Sequence, residues 1–194
     1  MAKLLPQKFF ERATTTVARE LIGKHLLRKV DGVWLRSRIV ETEAYLGKGD
    51  PGSHSAKGPT PRSAVMFGPP GVIYVYFIYG NYFMLNFVTE RDGKAGAVLI
   101  RAVEPLEGIE KMKQLRGKKH ALRNLTSGPA KLAMALGITA DLNKKELGSP
   151  HLAVEDAPSV SRNKIVKTTR IGITEGADLE LRFYEKDNGF VSKR

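Results

Sequence analysis

Ile39 to Gly47 reads I-V-E-T-E-A-Y-L-G, and this stretch decides the fold and the chemistry together. It ends a longer run from Val33 in which Val33, Leu35, Ser37, Ile39, Glu41 and Glu43 alternate with other residues. Period-2 alternation of this kind predicts a strand with those six side chains on one face. Immediately upstream, His25–Val30 and Val33–Glu43 flank Asp31-Gly32, a strong two-residue hairpin signal. Downstream, Tyr45 leads into Gly47–Gly71, which is rich in Gly, Pro and Ser and carries His54. Long loops inside compact domains are usually functional or disordered. The stretch therefore predicts two carboxylates and an aromatic at the mouth of a loop.

Outward from that strand, Thr14–Ile22 reads as a helix ended by Gly23. Val72–Tyr79 and Tyr82–Thr89 read as strands about Gly80-Asn81, and Gly96–Val103 as another. A strict two-residue turn there pairs Tyr76 with Leu85 and puts Tyr76 and Asn86 on opposite faces. Pro105 is placed to open a helix in which Leu106, Ile109, Met112 and Leu115 recur at helical spacing. Ser127-Gly128-Pro129 starts a second, closing at Gly137. Lys144–Lys167 reads as loop, with closing strands at Arg170–Ile173 and Leu179–Tyr184. Hairpins interrupted by helices predict an α+β class with a largely antiparallel sheet, spread over residues 1–194 as a single domain.

The chain has 194 residues and a formal net charge of +12, from 32 Lys and Arg against 20 acids. Such an excess points to a polyanion, either nucleic acid or an anionic membrane surface. No apolar run approaches the roughly 20 residues of a spanning helix, and Met1–Pro6 is too short and broken for a signal peptide. The expectation is a cytoplasmic protein without membrane association. With no cysteine there is neither a disulfide framework nor a thiolate nucleophile. Four scattered histidines without H-x-x-x-H spacing give no metal site, and no cofactor is expected. Neither a Walker A motif nor G-x-G-x-x-G is present, so nucleoside-triphosphate chemistry is unsupported.

Either Glu41 or Glu43 could serve as a general base, and the alternation alone does not choose between them. Two residues apart on a strand they would lie about 7 Å from one another, a separation that leaves an inverting glycosidase open. His54 could orient a base, hold water or simply bond locally. Tyr45, Tyr74, Tyr76, Tyr79 and Tyr82 are five of the six tyrosines. Core packing accounts for most of them, but Tyr79 at a hairpin tip could wedge between base pairs. Arg101, a charge on a strand, reads as an ion-pair partner or a phosphate or sugar clamp. Ser127, Gly128 and Lys131 at a helix start read as a phosphate contact or as ordinary N-capping.

Taken together, the chain resembles the alkyladenine (3-methyladenine) DNA glycosylase family. The matching strings are R-I-V-E-T-E-A-Y-L-G (Arg38–Gly47), H-S (His54-Ser55), M-F (Met66-Phe67), P-G-V-I-Y-V-Y (Pro70–Tyr76) and I-Y-G (Ile78–Gly80). R-A-V-E-P-L-E-G (Arg101–Gly108), S-G-P-A-K-L (Ser127–Leu132), R-I-G (Arg170–Gly172) and L-R-F-Y (Leu181–Tyr184) follow in order. The resemblance runs nearly the full length. It implies a curved, partly open barrel-like sheet with flanking helices and a protruding hairpin. It implies that Glu43 activates water, that Arg101 helps hold that water and the backbone, and that Tyr45 and Tyr76 stack on a flipped base. His54 would bond near the base and sugar, Asn86 would gate which purines enter, and Tyr79 would fill the hole left in the duplex. The family often has an apolar residue where Asn81 stands. The implied partner is double-stranded DNA carrying damaged purines, acted on by a monomer without an obligate protein partner and without strand cleavage. A basic nucleic-acid-binding domain without catalysis is the alternative.

Overall fold

The computed structural model describes residues 3–78, 80–117, 120–148 and 150–193. The expected wedge, Tyr79, lies outside them. Among the described residues eight strands form one curled antiparallel sheet, in the order β3-β4-β5-β2-β1-β6, with β8 joining β2 and β7 joining β8. The strands are β1 (His25–Val30), β2 (Val33–Leu46), β3 (Ile73–Ile78), β4 (Tyr82–Val88), β5 (Gly96–Glu107), β6 (Leu152–Glu155), β7 (Ile165–Thr168) and β8 (Arg182–Glu185). Short helices α1 (Gln7–Phe10), α2 (Thr14–Glu20), α3 (Ile109–Arg116) and α4 (Pro129–Ala135) accompany it. The class is α+β, as the order of patterns predicts.

β2 is the axis of the fold. It pairs with β5 along one edge, and with β1 and then β8 along the other. Its alternation does not run through. Ile39 pairs with Val103, but the next partners are Glu41 with Ala102 and Thr42 with Ile100. Val40 is therefore an extra residue on β2, and Arg101 an extra residue on β5. Each extra residue flips every later side chain to the other face. Leu35 and Ile39 belong to the main core; beyond the bulge Ala44 does, while Thr42 Oγ1 donates to the Ala18 carbonyl of α2 at 2.8 Å. Glu41, Glu43 and Tyr45 consequently leave the face that carries Ile39. The expectation of one shared face for Val33 through Glu43 is corrected here.

Three other expectations change. β3 and β4 end on the pair Ile78–Tyr82, so three residues connect them, with Gly80 at φ 68°. Tyr74 then pairs with Asn86 and Tyr76 with Met84, placing all four on one face instead of dividing Tyr76 from Asn86. Pro105 does not open a helix: it sits in β5 opposite Ser37, next to a further register shift between Arg36 and Ser37. A proline is tolerated at such an irregularity because no ladder bond is demanded of it. The chain turns instead at Gly108 (φ 74°), where a Cβ would lie 2.5 Å from Leu35 Cδ2, and α3 begins at Ile109. Finally, Lys144–Lys167 contributes β6 and the start of β7, whereas Arg170–Ile173 forms no strand.

The main core lies between the sheet and α2 and α4. Phe87 of β4 is fully buried and meets the ring of Phe10 edge-on at 6.0 Å. Phe87→Ala is expected to cost about 3–5 kcal/mol, read as a lowered midpoint in chemical denaturation. A midpoint within error of the parent would mean that the neighbouring side chains close the void.

Candidate active site

The double bulge aims three charged side chains at one spot. Glu41 Oε1 accepts from Arg182 Nε (2.7 Å), Ser192 Oγ (2.9 Å) and Arg101 Nε (3.0 Å), and its Oε2 from the Ser192 backbone N–H (2.7 Å). A carboxylate offers about four lone-pair sites, so Glu41 is saturated. Glu43 Oε1 accepts from the Ile171 N–H (2.8 Å) and faces Arg101 Nη1 at 3.2 Å, while Oε2 accepts from the Tyr45 hydroxyl (2.9 Å). That leaves about one acceptor position on Glu43. Both acids are fully buried. Arg101 carries its charge more firmly than usual: burial opposes it, but the carboxylates of Glu43 and Glu41 outweigh burial.

Beside Glu43 lies a cavity of about 380 Å³, within the size range of small-ligand sites. Glu43 does not line it. Its three partners do: Tyr45, Arg101 and Ile171 form part of the wall. Tyr74, Tyr76, His54 and Asn86 line the cavity too, with Met66, Met84 and Leu99 among the apolar contributors. The three-residue connection between β3 and β4 is what brings Tyr76 and Asn86 into the same wall.

Each aromatic wall is backed by a guanidinium. Arg170 lies 4.6 Å from the Tyr45 ring centroid, and Arg62 4.8 Å from that of Tyr76. Arg170 is fully buried and grips Asp50 through two bonds of 2.7 and 2.5 Å. Asp50 in turn accepts from the N–H groups of Leu46 and Gly52, which fixes the loop against the end of β2. Burial, followed by the Glu43 charge, pushes the Tyr45 phenol well above its ordinary range, so it stays a donor to Glu43. Burial does the same to Tyr76, with Tyr74 adding to it. His54 Nδ1 lies 3.0 Å from the Tyr74 hydroxyl, and the imidazole meets the Tyr76 ring edge-on at 4.7 Å. Burial, then the Arg62 charge, holds His54 below the usual histidine range. Replacing Arg62 by Ala is therefore expected to raise the His54 titration midpoint, followed by NMR. An unmoved midpoint would show that the imidazole does not sense that charge.

Asn86 Nδ2 donates to the carbonyls of Tyr74 (3.1 Å) and Met84 (3.3 Å), which leaves Oδ1 as the polar atom it offers the cavity. Ser127 bridges to Ala102 of β5, and Pro129 lines the cavity. The residue before α4 is Gly128, and no side chain caps the helix, so Ser127 is not an N-cap. Lys131 is half-buried on the first turn. Among the described residues no cluster of three potential metal ligands occurs, and no helix is long and apolar enough to cross a membrane. Asp50, Arg170 and Ile171–Ile173 were not singled out from the sequence as site residues. Arg170 and Ile171 stood in the R-I-G string, but were read there as strand.

Residues 8–189 match the family model described as Methylpurine-DNA glycosylase (MPG). The chain belongs to that family. Among its relatives, a protein of Methanocella arvoryzae is 49% identical over 98% of this chain and 96% of its own length. One of Carboxydothermus hydrogenoformans is 48% identical over 98% and 100%, and one of Methanoculleus marisnigri 49% over 98% and 99%. All three carry the name "Putative 3-methyladenine DNA glycosylase". The chain is thus a hydrolase of the DNA glycosylase type. For a methylpurine-DNA glycosylase the surplus of lysine and arginine has an evident use, because the phosphate backbone supplies most of the sequence-independent affinity for DNA.

Proposed function

We propose that this glycosylase excises alkylated purines, 3-methyladenine and its relatives, from duplex DNA, with hypoxanthine and ethenoadenine as neutral candidates. The observation that carries the reading is Glu43: a carboxylate held by two hydrogen bonds and the Arg101 charge, with an acceptor position to spare, set directly behind an aromatic-walled cavity. A target purine would leave the stack at a cost of a few kcal/mol and enter between Tyr45 and Tyr76. A methylated purine is cationic, and desolvated aromatic faces attract such a ring by about 0.5–2 kcal/mol. As the C1′–N bond breaks, its electron pair passes to the purine, which leaves neutral without prior protonation. Water forms the new C1′–O bond and gives its proton to Glu43. The donors around Glu43 complement its ionised form, and that form also opposes the positive charge developing at C1′.

In this reading Arg101 steadies Glu43 and the attacking water. His54, kept neutral, adds no cation against a cationic base. Asn86 Oδ1 meets the purine edge and selects among purines by what that edge presents. Tyr79 would fill the gap in the duplex, and Ser127, Gly128 and Lys131 would touch phosphate. No lysine Schiff base is needed, so the strand is left uncut, as the first step of base excision repair by a monomer. The saturation of Glu41 speaks against a two-carboxylate glycosidase.

The test is to incubate the protein with alkylated duplex DNA, separate free purine by chromatography, and run the strand on a denaturing gel. Free methylated purine with an intact strand is expected. Salt-sensitive binding without free purine would overturn the reading in favour of a binding domain.

A further inference from the structure

The C-terminal segment is placed where the enzyme's chemistry is organised. Val191 packs on Val40, the extra residue of β2, and on Ala102, next to the extra residue of β5, with Tyr184 and Phe190 around them. Ser192 follows and gives Glu41 two of its four donors. The segment is anchored beforehand: Arg123 Nε donates to the Gly189 carbonyl at 2.8 Å, and the Phe190 N–H donates to Asn188 Oδ1 at 2.9 Å. Arg182 Nη2 also donates to the Lys193 carbonyl.

Arg101 is the piece this arrangement holds. Its Nε sits on Glu41 (3.0 Å), its Nη1 on Glu43 (3.2 Å) and its Nη2 on Ser192 Oγ (3.5 Å). Two acids and two arginines, Glu41, Glu43, Arg101 and Arg182, are buried together and balance in charge. In such a set the direction of each guanidinium is decided by which carboxylate positions are already taken. Ser192 donates to both oxygens of Glu41, and Arg101 reaches Oε1 through Nε beside the Ser192 hydroxyl. A flat guanidinium held by Nε presents its far edge to Glu43 and to the cavity that Arg101 lines.

We infer that Ser192 and Glu41 are positioning residues, through which the C-terminal segment sets the posture of Arg101 against Glu43. The inference rests on the proposed function for its kinetic consequence. If Glu41 lost the Ser192 hydroxyl donor, a position on Oε1 would open and Arg101 Nη2 would lose its own partner, so Arg101 could turn further onto Glu41 and away from Glu43. The maximal rate of base release would then fall while DNA binding stayed, because none of the segment's described residues lines the cavity.

The full-length protein and its variants Ser192→Ala, Ser192→Thr and Glu41→Gln should be compared in single-turnover release of methylated purine from duplex DNA. Duplex affinity and melting temperature are measured alongside. Ser192→Ala is expected to lower the maximal rate several-fold at unchanged affinity, with a melting temperature lowered by a few degrees because a buried carboxylate loses one donor, and Ser192→Thr to restore both. Glu41→Gln is expected to lower the rate on the order of 10²-fold, the scale of a misplaced group in an active site. The Arg101 Nε–H resonance should move in Ser192→Ala and return in Ser192→Thr, an NMR readout that needs no activity. A parental rate and an unmoved resonance in Ser192→Ala would overturn the inference. So would parallel losses of rate, affinity and melting temperature. If the parent released no purine, the proposed function would fall by itself, and the resonance alone would decide whether Ser192 holds Arg101.

Discussion

Glu43→Gln is expected to release purine on the order of 10²–10⁴-fold more slowly than the parent, the usual range for losing a general base, yet to bind the damaged duplex as well. The amide is nearly the shape of the acid, so the surroundings survive. Its oxygen still accepts from the Ile171 N–H and still faces Arg101. Tyr45, now opposite an amide nitrogen, turns its hydroxyl to accept where it formerly donated to Oε2. What the amide cannot do is take a proton from water or oppose charge at C1′. A variant that released purine at the parental rate would remove Glu43 from the mechanism. One that lost duplex affinity as well would point to a part in binding.

Deleting Thr42 is expected to abolish folding. Val40 is the one extra residue of β2 at this point, and it sets Glu41, Glu43 and Tyr45 on the face away from Ile39. Without Thr42 the strand beyond Glu41 slips by one, Glu43 and Tyr45 point at α2 and the main core, and Ala44 points at the cavity. Taking Val40 into the ladder instead would keep Glu43 in place but turn Glu41 to the core, away from Arg101 and Arg182. A buried charge that has lost its partners costs several kcal/mol, against a total stability of about 5–15 kcal/mol for a domain. Circular dichroism and Trp34 fluorescence should show no cooperative unfolding transition. A deletion variant that melts like the parent would mean that the register beyond Val40 is not what separates the acids from the core.

Much of this was legible in the chain itself. The Asp31-Gly32 turn, the β1–β2 hairpin and α2 follow from local signals, because a turn and a period are written within a few residues. The strings shared with the glycosylase family pointed to the right family because they are long and ordered. The bulge was not legible. Alternation across Ile39, Glu41 and Glu43 looks unbroken, and the flip at Val40 depends on β5 and on Val191, far along the chain. Neither could the pattern separate the two acids by itself. Glu41 is claimed by Arg182 and Ser192, 141 and 151 residues away, and such partners leave no mark near Glu41. Pro105 misled because proline opens helices and also tolerates irregular strands; only the partner strand decides which. Arg170 misled for the opposite reason: its neighbours look like a strand, but its side chain is spent on Asp50 and on the back of Tyr45.

We propose that the slot between Tyr45 and Tyr76 receives one extruded purine beside Glu43. Glu43→Gln, which should bind without turning over, can be titrated with a duplex carrying a single alkylated purine and with its undamaged counterpart, while the ring protons of Tyr45 and Tyr76 are followed by NMR. Both rings are predicted to shift upfield with the damaged duplex and to stay in place with the undamaged one. Tight binding of the damaged duplex with both rings unmoved would contradict the claim.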